Sequence, residues 1–374
     1  MSAQGQFVAF ASRARIVQGP ANLASRQVFL RDMSTGASTL LSIARDGGGG
    51  DGSSDWPSIS ADGTRIVFES KATNLVRGDT NGFSDIFMYD TTSGVTTLIS
   101  HAPNGNPANL ASYSPAISAD GTHVAFTSSA TNLGPDNGYF DSVYIYDIAS
   151  GGAQLVTHAP DGSPTNYYGG YNPQISADGN LVAYYSPTAD LVADDTNSHD
   201  DVFLYNAATD TNQLISRTPD GGLANGNSYG VDISADGTHV AYNSYANNLV
   251  PNDDTDNITD VFVYDVASES TTLISRATDG GPGNADSYYP SISGDGTLIA
   301  YTSYASDLVR NDANAGTDIF VHNTTTGTTR LISKAPDGSA ATGNSDRADV
   351  SIDGTHIGYE SDANNIVTPD TDTG

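Results

Sequence analysis

The pentapeptide Ile-Ser-Ala-Asp-Gly returns along this chain at an interval of about 58 residues: Ile59 to Gly63, Ile117 to Gly121, Ile175 to Gly179 and Ile233 to Gly237, then Ile292 to Gly296 as ISGDG. Self-similarity at such a period signals supersecondary units that bury their apolar faces by stacking on one another. The second unit shows what the repeat contains. Asp55 to Ser60 (DWPSIS) leads into the turn Ala61-Asp62-Gly63, and Thr64 to Ser70 (TRIVFES) comes next with strand-like alternation. A long polar stretch, Lys71 to Ser84, precedes Asp85 to Asp90 (DIFMYD), the turn Thr91 to Gly94, and Val95 to Ser100 (VTTLIS). Four short strands per period, here called A, B, C and D, joined by Asp-Gly and Ser/Thr-Gly turns, form an antiparallel meander. No segment keeps a 3.6-residue apolar period, which excludes helical solenoids.

Strand C recurs at Gln27, Asp85, Ser142, Asp201, Asp260 and Asp318, and strand A begins near Asp55, Tyr113, Tyr171, Tyr229, Tyr288 and Asp346. The first unit has B, C and D without A, and the chain ends on an A strand, Asp346 to Ser351. The expectation is therefore an all-β, six-bladed β-propeller of four-stranded antiparallel blades, residues 1–374 being one domain in which 346–374 closes the ring and removes exposed sheet edges. A surplus B-like strand, Thr355 to Ser361 (THIGYES), leaves open a seven-bladed ring or a cut from a longer array. Met1 to Gly5 resemble the middle of a repeat, so an export signal or upstream domain is expected to precede them.

The pattern P-x-I-S-x-D-G-x-x-[IV]-A-[FY]-x-S, then N-L-V-x-x-D-T-N-x-x-x-D-[VI]-F-V-Y-D, then T-G-x-T-x-L-[IV]-S resembles the PD40, or WD40-like, repeats of TolB-like β-propellers of secreted bacterial proteins, over essentially the whole chain. That resemblance implies the fold and an extracellular or periplasmic location. It says little about activity, because propellers of this family serve as scaffolds, as domains of peptidases and lyases, and as adhesive modules.

Asp and Glu number 44 against 14 Lys and Arg, a formal charge of -30, which argues against nucleic acid and anionic membranes and for cations as partners. Surface carboxylates that merely keep an exported protein soluble are the plain alternative. There is no cysteine, hence no disulfide or thiol chemistry, and no apolar stretch approaches a membrane span.

A–B and C–D turns are short and uniform, whereas B–C and D–A connections carry nearly all the long polar sequence, so binding is expected at the loop end. Within the B–C loops lies a motif with oxygen donors at its first, third and seventh positions: Asp79, Asn81 and Asp85; Asp195, Asn197 and Asp201; Asp254, Asp256 and Asp260; Asp312, Asn314 and Asp318. Oxygens on alternate residues of a tight loop suit Ca²⁺ better than Mg²⁺ or a transition metal. Asx-turns, with the last Asp capping strand C, would use the same residues without an ion. Two units degrade the motif, with Ser142 after Asp136 in one and Gln27 after Asn22 in the other, and Asp370 and Asp372 begin it again at the end. The loops show no apolar anchors in this reading, so the ion is expected to order them.

Two further sets lie at the same end. His101, His158, Arg217, Arg276 and Lys334 open the D–A loops, either as a basic ring for an acidic polysaccharide or as partners of nearby loop carboxylates. Tyr113, Tyr171, Tyr229 and Tyr288, with Trp56, Tyr167 and Tyr168 close by, could stack on sugar rings or pack between blades. His123, His239 and His356 share one strand B position and read as surface residues. Gly-x-Ser-x-Gly and His-Glu-x-x-His are missing. The reading is a monomeric, calcium-binding, non-catalytic module of a larger protein that recognises a glycan or an extracellular protein. A polysaccharide lyase or glycosidase on the same scaffold, and a spacer without ligand, are the alternatives.

Overall fold

A computed structural model describes residues 1–374 apart from 15, 17–24, 136–137, 166–167, 252–257, 311, 313, 315 and 368–374. Twenty-five strands in chain order make seven antiparallel sheets among the described residues. The first has three strands, β1 (Phe7–Ser12), β2 (Gln27–Asp32) and β3 (Ser38–Leu40). Five have four each: β4 (Ser54–Ile59) to β7 (Val95–Leu98), β8 (Ser112–Ile117) to β11 (Gly152–Leu155), β12 (Tyr171–Ile175) to β15 (Thr211–Leu214), β16 (Ser228–Ile233) to β19 (Ser270–Leu273), and β20 (Ser287–Ile292) to β23 (Thr328–Leu331). The last pairs β24 (Ser345–Val350) with β25 (Ile357–Ser361). The A strand expected to complete the first unit thus takes its own B strand as partner, because β25 offers the same register that every other B strand offers its A strand. No helix is long and apolar enough to cross a membrane among the described residues. The chain divides into two compact units, Met1–Asp195 with Leu204–Gln213, and Thr196–Phe203 with Leu214–Gly374.

The repeated pentapeptide is explained by its own hydrogen bonds. Ser60 Oγ donates to Asp62 Oδ1 at 2.7 Å, and Thr64 N donates to the same oxygen at 2.9 Å. Arg65 N then donates to Ser60 Oγ at 3.0 Å. Although partial burial opposes ionisation of Asp62, these donors win and hold its carboxyl below the usual range. The same staple recurs at Asp120, Asp178, Asp236, Asp295 and Asp353.

Glycine closes this turn for two reasons. Gly179 has φ +75°, and a Cβ on it would run into Nδ1 of His123, the first residue of strand B in the preceding sheet. Gly296 bears the same relation to His239. Successive sheets also exchange backbone bonds at these turns, Ala61 N to Ala119 O at 2.8 Å in one unit and Asp236 N to Gly294 O at 3.0 Å in the other.

Strands B and C are largely buried on both faces, since within each unit one sheet covers the next. Stacked aromatics pair across them, Phe68 with Phe87, Phe126 with Tyr144, Tyr242 with Phe262 and Tyr301 with Phe320, at centroid separations of 5.8–6.0 Å. At the loop end a buried serine pair ties A to B: Ser54 to Ser70, Ser112 to Ser128, Ser228 to Ser244 and Ser287 to Ser303, at 2.8–2.9 Å.

Candidate functional site

The B–C loop has two halves with different physics. The first is anchored after all: Ala72 and Leu75, Ala130 and Leu133, Ala246 and Leu249, and Ala305 and Leu308 are all buried. This corrects the reading of these loops as lacking apolar anchors, because an Ala-x-x-Leu spacing inside a polar stretch is too sparse to register as a periodic segment. Amides add to the hold. Asn109 Oδ1 accepts from Thr131 N at 2.9 Å while Asn132 Oδ1 accepts from Asn109 N at 3.0 Å, and Asn225 treats Asn247 and Asn248 in the same way.

The second half carries the acidic motif. In the second sheet Asn81 Oδ1 accepts from Phe83 N at 2.8 Å, an Asx-turn, and its Nδ2 donates to Asp85 Oδ2 at 2.6 Å and to Ala108 O at 2.8 Å. Asn197 and Asn314 make the same turn, onto His199 N and Gly316 N, and the same reach across, onto Ala224 O and Ala341 O. The middle residue therefore forms the turn and links two connections. The seventh residue is held too: Ser100 donates to Asp85 Oδ1, Ser216 to Asp201, Ser275 to Asp260 and Ser333 to Asp318, at 2.5–2.6 Å. Turn chemistry is thus in place in the three loops whose middle residue is described, at Asn81, Asn197 and Asn314.

It leaves oxygens over. Asp79 Oδ1, Asp312 Oδ1 and Asp318 Oδ2 are enclosed without a hydrogen-bond partner, while Asp79 is 6% exposed and Asp85 and Asp318 are 0% exposed. Burial pushes the Asp85 carboxyl up to about 7, with the Asp79 charge adding to the rise against the bonds from Ser100 and Asn81. Burial and the Asp318 charge raise Asp312 to about 6. Asp79 with Asp85, and Asp312 with Asp318, are thus confined pairs of carboxylates that repel one another. Asp195, Asp201 and Asp260 are likewise buried, and Asp254 and Asp256 lie outside the described residues.

The degenerate loops show what the buried position needs without the charge. Gln27 replaces the seventh Asp, and its Oε1 accepts from Ser42 at 2.7 Å while Nε2 donates to Gly50 O at 3.2 Å. One neutral amide does the structural work of Asp85 and Asn81 together. In the third sheet Ser142 stands there, and Thr157 Oγ1 takes the backbone bond from Val143. Charge at this site is therefore not required by the fold. Asp136, Asn22, Asp370 and Asp372 fall outside the described residues.

The basic residues that open the D–A loops each meet a different set of neighbours. His101 Nε2 meets Tyr146 OH at 3.0 Å, and His158 Nε2 meets Asp210 Oδ1 at 3.0 Å, each across to strand C or the C–D turn of the next sheet. Asp210 also accepts from Tyr205 OH at 2.7 Å, and it holds φ +55° where other C–D turns use Gly94, Gly151 and Gly327. Arg217 donates to Leu214 O and Gly221 O of its own hairpin, and Arg276 lies beside His322, whose imidazole it helps burial to depress. Lys334 is exposed. His123 and His239 sit at the turn end, 3.2 Å and 3.3 Å from Asp147 and Asp265.

The aromatic set occupies the start of strand A. Registers place Tyr113 opposite Thr127, Tyr171 opposite Tyr185, Tyr229 opposite Asn243 and Tyr288 opposite Thr302. All four tyrosines are half-buried. Burial first, then a hydrogen bond to Asp141, raises the Tyr113 phenol far above its ordinary value. Tyr168 stacks toward Tyr171 with centroids 6.4 Å apart; Tyr167 is outside the described residues.

Apart from Trp56, sequence reading missed the residue that follows Asp55, each of these tyrosines and Asp346. In every A strand from β4 onward the register shifts by a bulge, and this residue has positive φ: Trp56 (51°), Ser114 (52°), Asn172 (47°), Gly230 (65°), Tyr289 (53°) and Arg347 (55°). Glycine would be the inexpensive choice there, and a run of glycines would have signalled the bulge. Only one repeat uses it. Trp56 is 60% exposed and Tyr289 50%.

No family model matches this sequence, and no curated protein matches it. Among solved structures it is similar to the β-propeller domain of the Trilobed protease from Pyrococcus furiosus, whose topology is described as an open velcro, with 13% identity, 96% of this chain and 86% of that one covered, and a TM-score of 0.56. An oligogalacturonate lyase from Vibrio parahaemolyticus is 12% identical over 95% of this chain and 83% of that one, with a TM-score of 0.55. A putative TolB from Agrobacterium tumefaciens is 13% identical, with 95% and 99% covered and a TM-score of 0.50. The chain covers 66% of the TolB structure from Acinetobacter baumannii. Together with the repeated antiparallel sheets, the likenesses to the protease domain, the lyase and the Agrobacterium protein make the fold a TolB-like β-propeller.

Proposed function

We propose that this protein is a calcium-stabilised, non-catalytic propeller of six blades, working outside the cytoplasm or in the periplasm as a module of a larger protein that recognises a glycan or an extracellular protein. The observation that carries the calcium part is the set of buried carboxylate oxygens left without hydrogen bonds at Asp79, Asp312 and Asp318. An unpaired buried charge is costly, and a hard cation or a proton relieves it. Asp79 with Asp85, and Asp312 with Asp318, would hold the ion, assisted by backbone carbonyls. No group of three or more acidic, His or Cys side chains converges among the described residues. Two carboxylates per site suit the weak end of calcium affinity, on the order of 10⁻⁴–10⁻³ M, as in extracellular modules.

The recognition part rests on the exposed aromatics of the strand A bulges, retained where glycine would serve the backbone better. The charge and the fold likeness support a location outside the cytoplasm; fractionation of the native cells tests it. The experiment for function is binding and product release together, with polysaccharides incubated with the protein in calcium and in chelator. Retention without shortened products supports a binding module, and release of oligosaccharides would replace it with a lyase or glycosidase.

A further inference from the structure

Two places, one in each compact unit, set an exposed aromatic ring beside carboxylates at the strand A bulge. In the first, Trp56 is 60% exposed, and the neighbouring Asp55 lies opposite Glu69 in the strand register. Like charges directly opposite in a sheet destabilise it, and here they share a rim with a strained aromatic. Arg26 reaches Asp55 Oδ1 at 3.0 Å, Ser84 Oγ donates to Glu69 Oε1 at 2.7 Å, and the Glu69 carboxyl also accepts from Ser114 N with Lys71 nearby, so that each carboxylate keeps lone pairs for other donors. In the second unit Tyr288, Tyr289 and Tyr304 form one aromatic group, with centroids 4.9 Å and 6.1 Å apart from Tyr288, and Tyr289 and Tyr304 are each 50% exposed. Asp346 lies opposite Glu360 in the next sheet, and its charge adds to burial and the Tyr304 hydrogen bond in raising the Tyr288 phenol. Arg347 is the cation beside Asp346.

From this we infer that the loop end selects neutral, hydroxyl-rich glycan chains and rejects acidic ones, the inference resting on the glycan arm of the function proposed above. The chemistry is the same in both units. Aromatic faces stack on the C–H faces of sugar rings, and carboxylates accept hydrogen bonds from sugar hydroxyls. A uronate or sulfate would meet Asp55 and Glu69, or Asp346 and Glu360, at close range. The cations beside these carboxylates are already engaged by them, Arg26 by Asp55, Lys71 by Glu69 and Arg347 by Asp346, and among the D–A loop cations His101 and His158 contact the next sheet while Arg217 ties its own hairpin.

Affinity electrophoresis of the full chain, in gels cast with a soluble β-glucan, a galactomannan, polygalacturonate or alginate, tests this. The expected result is retardation in at least one neutral gel and none in the acidic gels. Trp56→Gly and Tyr289→Gly should each weaken that retardation at least five-fold while the melting temperature stays level or rises, because glycine accepts the bulge φ without strain. The double variant Asp55→Asn, Glu69→Gln should gain retardation in polygalacturonate. Retardation of the unaltered chain in an acidic gel overturns the inference and leaves glycan recognition standing. Retardation untouched by both glycine variants overturns the placement of the site, and no retardation in any gel overturns glycan recognition itself.

Discussion

The two ends of each sheet obey opposite rules. At the turn end, Ser60, Asp62, Gly63 and Thr64 satisfy one another completely, and five further repeats copy the arrangement because any departure leaves a buried donor or strains a positive φ. At the loop end the repeat varies where the fold would accept something simpler: glycine at Trp56 and Tyr289, a neutral amide at Asp85. Uniformity marks what folding requires, and variation that is costly to folding marks what the chain uses. The lesson is internal to the chain, one repeat serving as the control for the next.

The contrast can be sharpened first in the B–C loop. Leu75→Ala, at the packed half, should cost about 3 kcal/mol by loss of apolar burial and cavity formation, read from denaturant unfolding. A cost below about 1 kcal/mol would mean that the packing does not hold this loop. At the turn end Gly179→Ala should cost about 2 kcal/mol, since the methyl meets His123 in a left-handed backbone, and adding His123→Ala should recover part of it. Full additivity of the two changes would contradict the contact.

A pH prediction comes from strand A. Burial, then the nearby Asp349 charge, raises Asp232 to about 7, against backbone bonds to its carboxyl from Ile292 N and Ile233 N. The folded chain then keeps a proton that the unfolded chain releases near 3.8, so this contribution is full below that pH and is lost as pH rises toward 7. Ser58 and Ser291 accept the corresponding backbone bonds from Ile117 and Val350. Asp232→Ser should therefore keep the bond and gain about 1–2 kcal/mol at pH ~7.5 relative to pH ~5, measured by unfolding at both. An equal effect at both values would sink it. The smallest effect belongs to Trp56→Gly, a gain of up to about 1 kcal/mol in stability.

Much of this was legible beforehand. Strand C starts at each position the repeat indicates, from Gln27 to Asp318, and A strands begin at or one residue before theirs, because apolar alternation and Asp-Gly turns are local signals. The bulge was not legible: Trp56, Ser114, Asn172, Tyr289 and Arg347 share a backbone conformation but no side-chain chemistry. The partners of His101 and His158 were missed because strand C and the C–D turn of the next sheet supply them, some 45 to 52 residues away. For the acidic loops, residue types were readable, but which oxygens stay without a partner depends on Ser100 and Ser333 arriving from the end of strand D.

On the proposed function, the carboxylate pairs at the loop end take up a cation. Isothermal titration of metal-stripped protein with calcium chloride near neutral pH, paired with thermal melting, tests it most directly. The account predicts saturable binding with a dissociation constant on the order of 10⁻⁴–10⁻³ M and, at roughly a hundred-fold excess over that constant, about 3 kcal/mol of added stability per site. Asp79→Asn with Asp312→Asn should remove most of both. Absence of binding heat, with melting unchanged between calcium and chelator, would contradict it and leave the loops as hydrogen-bonded turns alone.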